Sequence, residues 1–218
     1  THPQAICVDK MIHIAKEKYH ADWVINVDAD EFWWTPLRNL KKAIGNYPHN
    51  NIIYVPLKNM VPEEGLTWIE WSNVVLNSIE NYEVEGLSKY SLYRSPIPKV
   101  IHRTQFYQII SRGNHQVQML FEASVLSKDI MIYHYPIRGY KHFENKTIRG
   151  GEAYLHNPNK TQGVHWRFWY SLYQKGALIN EFSRVIGIDK ISDFKKRGII
   201  GTDIRFLKYL RVVCNNSK

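Results

Sequence analysis

An α/β fold, a mixed sheet flanked by helices with a helical C-terminal part, is predicted by three features of this sequence. Apolar, β-branched runs alternate with stretches of helical period over residues 1–154. One of these runs, Trp23-Val24-Ile25-Asn26-Val27, stops abruptly at Asp28-Ala29-Asp30-Glu31, and open α/β sheets bind ligands beyond the carboxyl ends of their strands. From residue 155 onward helical patterns dominate. No composition break divides the chain, so its 218 residues are expected to form a single domain, 1–154 being α/β and 155–218 helical.

Each element has its own signal. Residues 4–20 read as a helix, with Cys7, Met11, Ile14, Ala15 and the stem of Lys18 on its apolar face. The run 23–27 reads as a strand buried on both faces. Thr35-Pro36 predicts a helix start, Thr as N-cap and Pro at the first helical position, for a helix running through Ile44. Strands follow at 51–57, 89–93, 99–102 and 107–110, with Ser95-Pro96-Ile97-Pro98 as a loop because proline cannot donate to a ladder. Val125-Leu126 and the run 131–135 flank a turn at Ser127-Lys128-Asp129. Helices are then predicted over 140–149, 164–175, 178–185 and 202–213.

Composition narrows the function. The 29 Lys+Arg against 20 Asp+Glu give a formal charge of +9, dispersed except for Lys195-Lys196-Arg197, which suits nucleic acid, an anionic membrane face or a phosphorylated donor. No stretch approaches 18 consecutive apolar residues and no signal peptide is visible, so a cytoplasmic protein, or one on the cytoplasmic face of a membrane, is expected. Cys7 and Cys214, at opposite ends of the chain, are expected to be thiols. No C-x-x-C or H-E-x-x-H spacing suggests zinc.

The chemistry starts from Asp28 and Asp30. Two neighbouring carboxylates repel, and a divalent cation between them keeps both ionised. The aromatic cluster Phe32-Trp33-Trp34 beside them offers rings for stacking. A guanidinium grips phosphate bidentately, so Arg138 is the first choice for a diphosphate, with Lys146 and Lys99 as further cations. Gly113-Asn114-His115 joins a flexible glycine to two hydrogen-bonding side chains, and a neutral imidazole can take a hydroxyl proton.

Three segments carry a resemblance. The stretch from Asp22 to Phe32, then Gly113-Asn114-His115-Gln116-Val117, then His134-Tyr135-Pro136-Ile137-Arg138-Gly139-Tyr140 with Phe143 and Lys146, occur in the order found in family 2-like glycosyltransferases of the GT-A fold. The resemblance implies a Rossmann-related GT-A sheet and a D-x-D metal site. It also shows a departure: such enzymes open with further βα units that hold the nucleotide base, whereas here the D-x-D strand is reached by residue 24. The usual N-terminal nucleotide-binding segment is therefore expected to be lacking.

What the resemblance implies is a metal-dependent glycosyltransferase of glycan biosynthesis, moving a sugar from a nucleotide-sugar donor to a hydroxyl of a carbohydrate or glycoconjugate. Asp28, Asp30 and His134 would hold Mn²⁺ or Mg²⁺, and Asp28, Lys99, Arg138 and Lys146 would bind the donor. Trp33, Trp34 and Asn114 would contact the acceptor. His115 or Glu31 would act as base, with Glu63 and Glu64 as other acids in suggestive positions. No nucleic-acid partner is expected, and peripheral membrane association fits the charge. Two alternatives stand beside it, a two-metal nuclease or phosphodiesterase and a non-catalytic carbohydrate-binding domain.

Overall fold

The structure, a computed structural model, describes residues 3–215. It is a mixed α/β protein. Its strands are β1 Trp23–Ile25, β2 Glu31–Trp34, β3 Ile52–Val55, β4 Leu57–Asn59, β5 Asn73–Val75, β6 Lys99–Arg103, β7 Tyr107–Ile110, β8 Val117–Met119, β9 Ser124–Leu126, β10 Met131–His134 and β11 Ile200–Thr202. Its α-helices are α1 Pro3–Tyr19, α2 Leu40–Ile44, α3 Tyr140–Leu155, α4 Val164–Gln174, α5 Leu178–Ile186, α6 Ile191–Lys196 and α7 Arg205–Asn215. They form two compact units, residues 1–58 with 96–134, and residues 59–95 with 135–218.

The first unit is built on a four-stranded sheet of order β1-β6-β3-β9, antiparallel except for the parallel β3/β9 pair. Alternation along β3 and β6 explains why both strands read as unbroken apolar runs. Ile53, Val55 and Ile101 face a core closed by Ala43 and Ile44 of α2. Ile52 and Val100 face the opposite way, onto Ile12 of α1 and the β7/β8 hairpin. A second sheet, β2-β10-β4, places Trp33 and Ile132 in the first of these cores.

Several expectations are corrected here. Strand β1 ends at Ile25 and pairs on one side only, so its residues are half-buried rather than buried on both faces. The packed face of α1 runs through Val8 and Ile12, while Cys7, Met11 and Ile14 are exposed. The side chain of Cys214 lies outside the described residues. Helix α2 starts at Leu40, because Asn39 caps it by accepting from the Lys42 amide, and Thr35 instead accepts from Leu37 in a turn.

In the second unit, α3, α4 and α5 enclose a core of Phe143, Trp169, Leu178, Phe182 and Val185. Gly150 and Gly151 let α3 approach α4: a Cβ at either would lie about 2.5 or 2.3 Å from the Trp166 or Tyr170 ring. The strand expected at 89–93 is absent, since this segment bonds a helix end. The Ser88 and Leu92 amides donate to the Arg184 and Val185 carbonyls of α5, and the Tyr93 hydroxyl donates to Ile186. Those carbonyls are ones a helix terminus leaves without intrahelical donors. Strand β11 takes Thr202, the first residue of the helix predicted at 202–213, into its pairing with β5, and α7 begins only at Arg205.

Among the described residues no helix is long and apolar enough to cross a membrane.

Candidate functional site

The site begins where β1 stops. Antiparallel register sets Trp23 opposite Arg103 and Ile25 opposite Ile101, so continuing the count puts Lys99 level with the chain just past the strand. There the backbone turns, the Glu31 amide donating to the Asp28 carbonyl at 3.1 Å, and reverses into β2. The turn carries three acids, and Lys99 reaches it from the same face of β6 as the core residue Ile101.

Lys99 binds two of those acids. Its Nζ donates to Asp28 Oδ2 at 2.6 Å and to Glu31 Oε1 at 2.9 Å. The lysine and Glu31 side chains are only 4% and 2% exposed, against 42% for Asp28. An ammonium this deep needs such partners, since an unpaired buried charge is prohibitively costly. Burial opposes the charge of Lys99, and its hydrogen bonds to Asp28 and Glu31 outweigh that cost, holding the amine above its ordinary value. One cation serves two carboxylates, and Asp28 is the more hydrated of the two. Burial pushes Glu31 above the usual carboxylate range, against the pull of Lys99, and Asp28 adds to the rise. Glu31 Oε2 is buried with no hydrogen-bond partner among the described residues.

Asp30 turns the other way. In the β2/β10 register Glu31 pairs with His134, and Asp30 Oδ1 lies 3.9 Å from His134 Nε2. The three expected metal ligands are thus divided, Asp28 to Lys99 and Asp30 to His134. Among the described residues no group of three or more His, Cys, Asp or Glu side chains is placed to hold a metal ion by itself. Asp30 and His134 nonetheless offer a carboxylate oxygen and an imidazole nitrogen, donor types a divalent cation takes together with phosphate oxygens and water, at a 3.9 Å spacing between those of adjacent and opposite ligands. Ligands about 2.1 Å from an octahedral ion are about 3.0 Å apart when adjacent and about 4.2 Å when opposite.

His115 sits on the loop between β7 and β8. Gly113 and Asn114 both adopt left-handed backbone, at φ 76° and 59°, and a Cβ on Gly113 would meet the His115 ring at 2.8 Å. Nδ1 of His115 lies 3.0 Å from the Pro98 carbonyl. A carbonyl only accepts, so Nδ1 carries the proton and Nε2 is the basic nitrogen. The histidine is thereby tied to the residue immediately before Lys99. Asn114 is buried, and its amide donates to Ser111.

The aromatic candidates divide by face. Trp33 packs into the core with Ile132, whereas Trp34 lies on the other face, edge-on to Tyr133 at 6.3 Å. Arg138 and Lys146 belong to the second unit. Lys146 donates to the Pro136 carbonyl, and Arg138 lies over the Trp68 ring at 5.2 Å. Glu63 accepts from the Ser72 and Asn73 amides, and Glu64 is exposed. The sequence named Lys99 as a donor cation and Glu31 as a base. It held no signal that the two were partners, because the pairing depends on strand register.

No protein-family model matches this chain, and no curated protein matches it significantly.

Proposed function

We propose that the protein is a glycosyltransferase of GT-A-like architecture, transferring a sugar from a nucleotide donor to a hydroxyl of a carbohydrate or glycoconjugate. The observation that carries this reading is the acid turn after β1, whose Asp30 is set 3.9 Å from His134 at the end of β10. Asp30 and His134 would hold Mn²⁺ or Mg²⁺ together with the donor's diphosphate. When bound, the metal would neutralise the charge that grows on the departing diphosphate. Asp28, the more hydrated acid and fixed by Lys99, is suited to accept hydrogen bonds from donor hydroxyls. Glu31 has almost no exposed surface, so its role in this reading is to hold Lys99 and through it the turn. The basic Nε2 of His115 is the group suited to take the acceptor's proton.

Thermal stability with UDP, GDP, dTDP or CMP, each with and without Mn²⁺, tests the reading. A ligand binding only the folded state adds about 2.7 kcal/mol at a hundredfold excess over Kd. The expected result is stabilisation by one nucleotide that requires Mn²⁺. If Mn²⁺ fails to enhance stabilisation by any of the four, the reading is wrong.

A further inference from the structure

The second unit holds a cleft of about 900 Å³, inside the size range of small-molecule sites. Arg138 and Trp71 line it together with Phe182, Ile186, Ile188 and Ile191. Its walls differ in character. Phe182 and Ile186 are buried at its base, while Ile188 and Leu66 stay exposed at its margin. That leaves apolar surface open in a concavity rather than scattered singly.

Arg138 is a cation with too few acceptors. Among the described residues it has no carboxylate partner, and its buried Nε has no acceptor at all. Its remaining polar contacts are both to His142: the backbone amide lies 3.2 Å from Nδ1 and Nη2 3.1 Å from Nε2. A neutral imidazole has one acceptor nitrogen, so only one of these can be a hydrogen bond at a time. Of the acids along the cleft, Glu63 is engaged by the Ser72 and Asn73 amides and Glu64 is exposed at the rim. The exposed Lys195 adds a second cation.

From this we infer that the cleft is a binding site for a small organic anion, whose phosphate or carboxylate pairs with Arg138 and whose apolar body lies along Ile186, Ile188 and Ile191. The guanidinium supplies the charge-assisted hydrogen bonds, and the isoleucine wall favours a ligand with an apolar portion over a bare ion. The inference stands on the second unit alone and does not depend on the transferase reading.

Calorimetric titration of the full chain, without metal or nucleotide, tests it with four probes: 1-naphthyl phosphate, 2-naphthoate, 1-naphthol and inorganic phosphate. At least one naphthyl anion is expected to bind, about tenfold or more tighter than either 1-naphthol or inorganic phosphate. Comparing the two anions distinguishes a phosphate site from a carboxylate site. Arg138→Met should weaken that binding about tenfold or more while circular dichroism stays unchanged. Ile188→Trp, made at an exposed position, should block the cleft with Arg138 intact. No binding of either naphthyl anion, equal binding of inorganic phosphate, or full binding by both variants would overturn the inference. Because metal and nucleotide are absent throughout, failure here leaves the acid turn's role untouched.

Discussion

The acid turn and the Arg138 cleft treat charge in opposite ways. At the turn a buried ammonium is shared by two carboxylates, 2.6 and 2.9 Å away, so most of the charge is compensated inside the protein. In the cleft a half-buried guanidinium faces an aromatic ring and a histidine, with no acid partner among the described residues. The first arrangement sets a backbone turn in place. The second leaves a partly exposed cation with which the anion of a ligand can pair. A charged cluster therefore marks function less by how many charges it holds than by which remain uncompensated.

The comparison breaks most readily at Lys99. Lys99→Met should cost about 3 kcal/mol in urea unfolding, the low end for a broken buried pair, because Glu31 can take up a proton and Asp28 is partly hydrated. Adding Glu31→Gln should recover part of that loss. A cost under about 0.5 kcal/mol, typical of an exposed pair, would show that the triad does not hold the turn.

His102 sharpens the contrast as a third buried group. It is fully buried and stacked on Tyr107 at 5.1 Å, Nδ1 bonds the Arg103 carbonyl, and Nε2 has no partner among the described residues. Burial depresses the imidazole below its ordinary value, partly offset by the Arg103 carbonyl. A depressed histidine binds its proton more weakly in the folded state than in the unfolded chain. Stability should therefore fall as pH drops below the unfolded value of about 6.5, by up to about 1.4 kcal/mol per pH unit. His102→Phe should flatten that slope in chemical unfolding followed across pH. An unchanged slope would assign the acid sensitivity to another group.

Arg138→Met should move stability least, by about 1 kcal/mol or less, since it removes a cation–π contact and a histidine contact and strands no acid. A loss as large as that of Lys99→Met would mean that Arg138 is structural, and the two regions would no longer differ in kind.

Legibility followed distance along the chain. Strands β6, β7 and β10 and helices α4 and α5 lie where the apolar period placed them, within a few residues, because their patterns are local. The two faces of α1 were exchanged. Both carry apolar residues, and contact of Ile12 with Val100 and Ile110 decides which one packs. Segment 89–93 was read as a strand because its residues favour pairing, but its Leu92 amide and Tyr93 hydroxyl donate to carbonyls at the C-terminal end of α5. At the site, the acids at the end of β1 were legible in place. The division of Asp28 from Asp30 was not, since Lys99 arrives by a register set 71 residues away.

That division is the most direct point of attack. Mn²⁺-linked stabilisation by the best nucleotide, compared in the wild type, Asp28→Asn and Asp30→Asn, separates the two acids. The account predicts that Asp30→Asn abolishes the metal-linked part, while Asp28→Asn keeps it and weakens only nucleotide affinity. Loss of the metal-linked part in Asp28→Asn with its retention in Asp30→Asn would contradict the account.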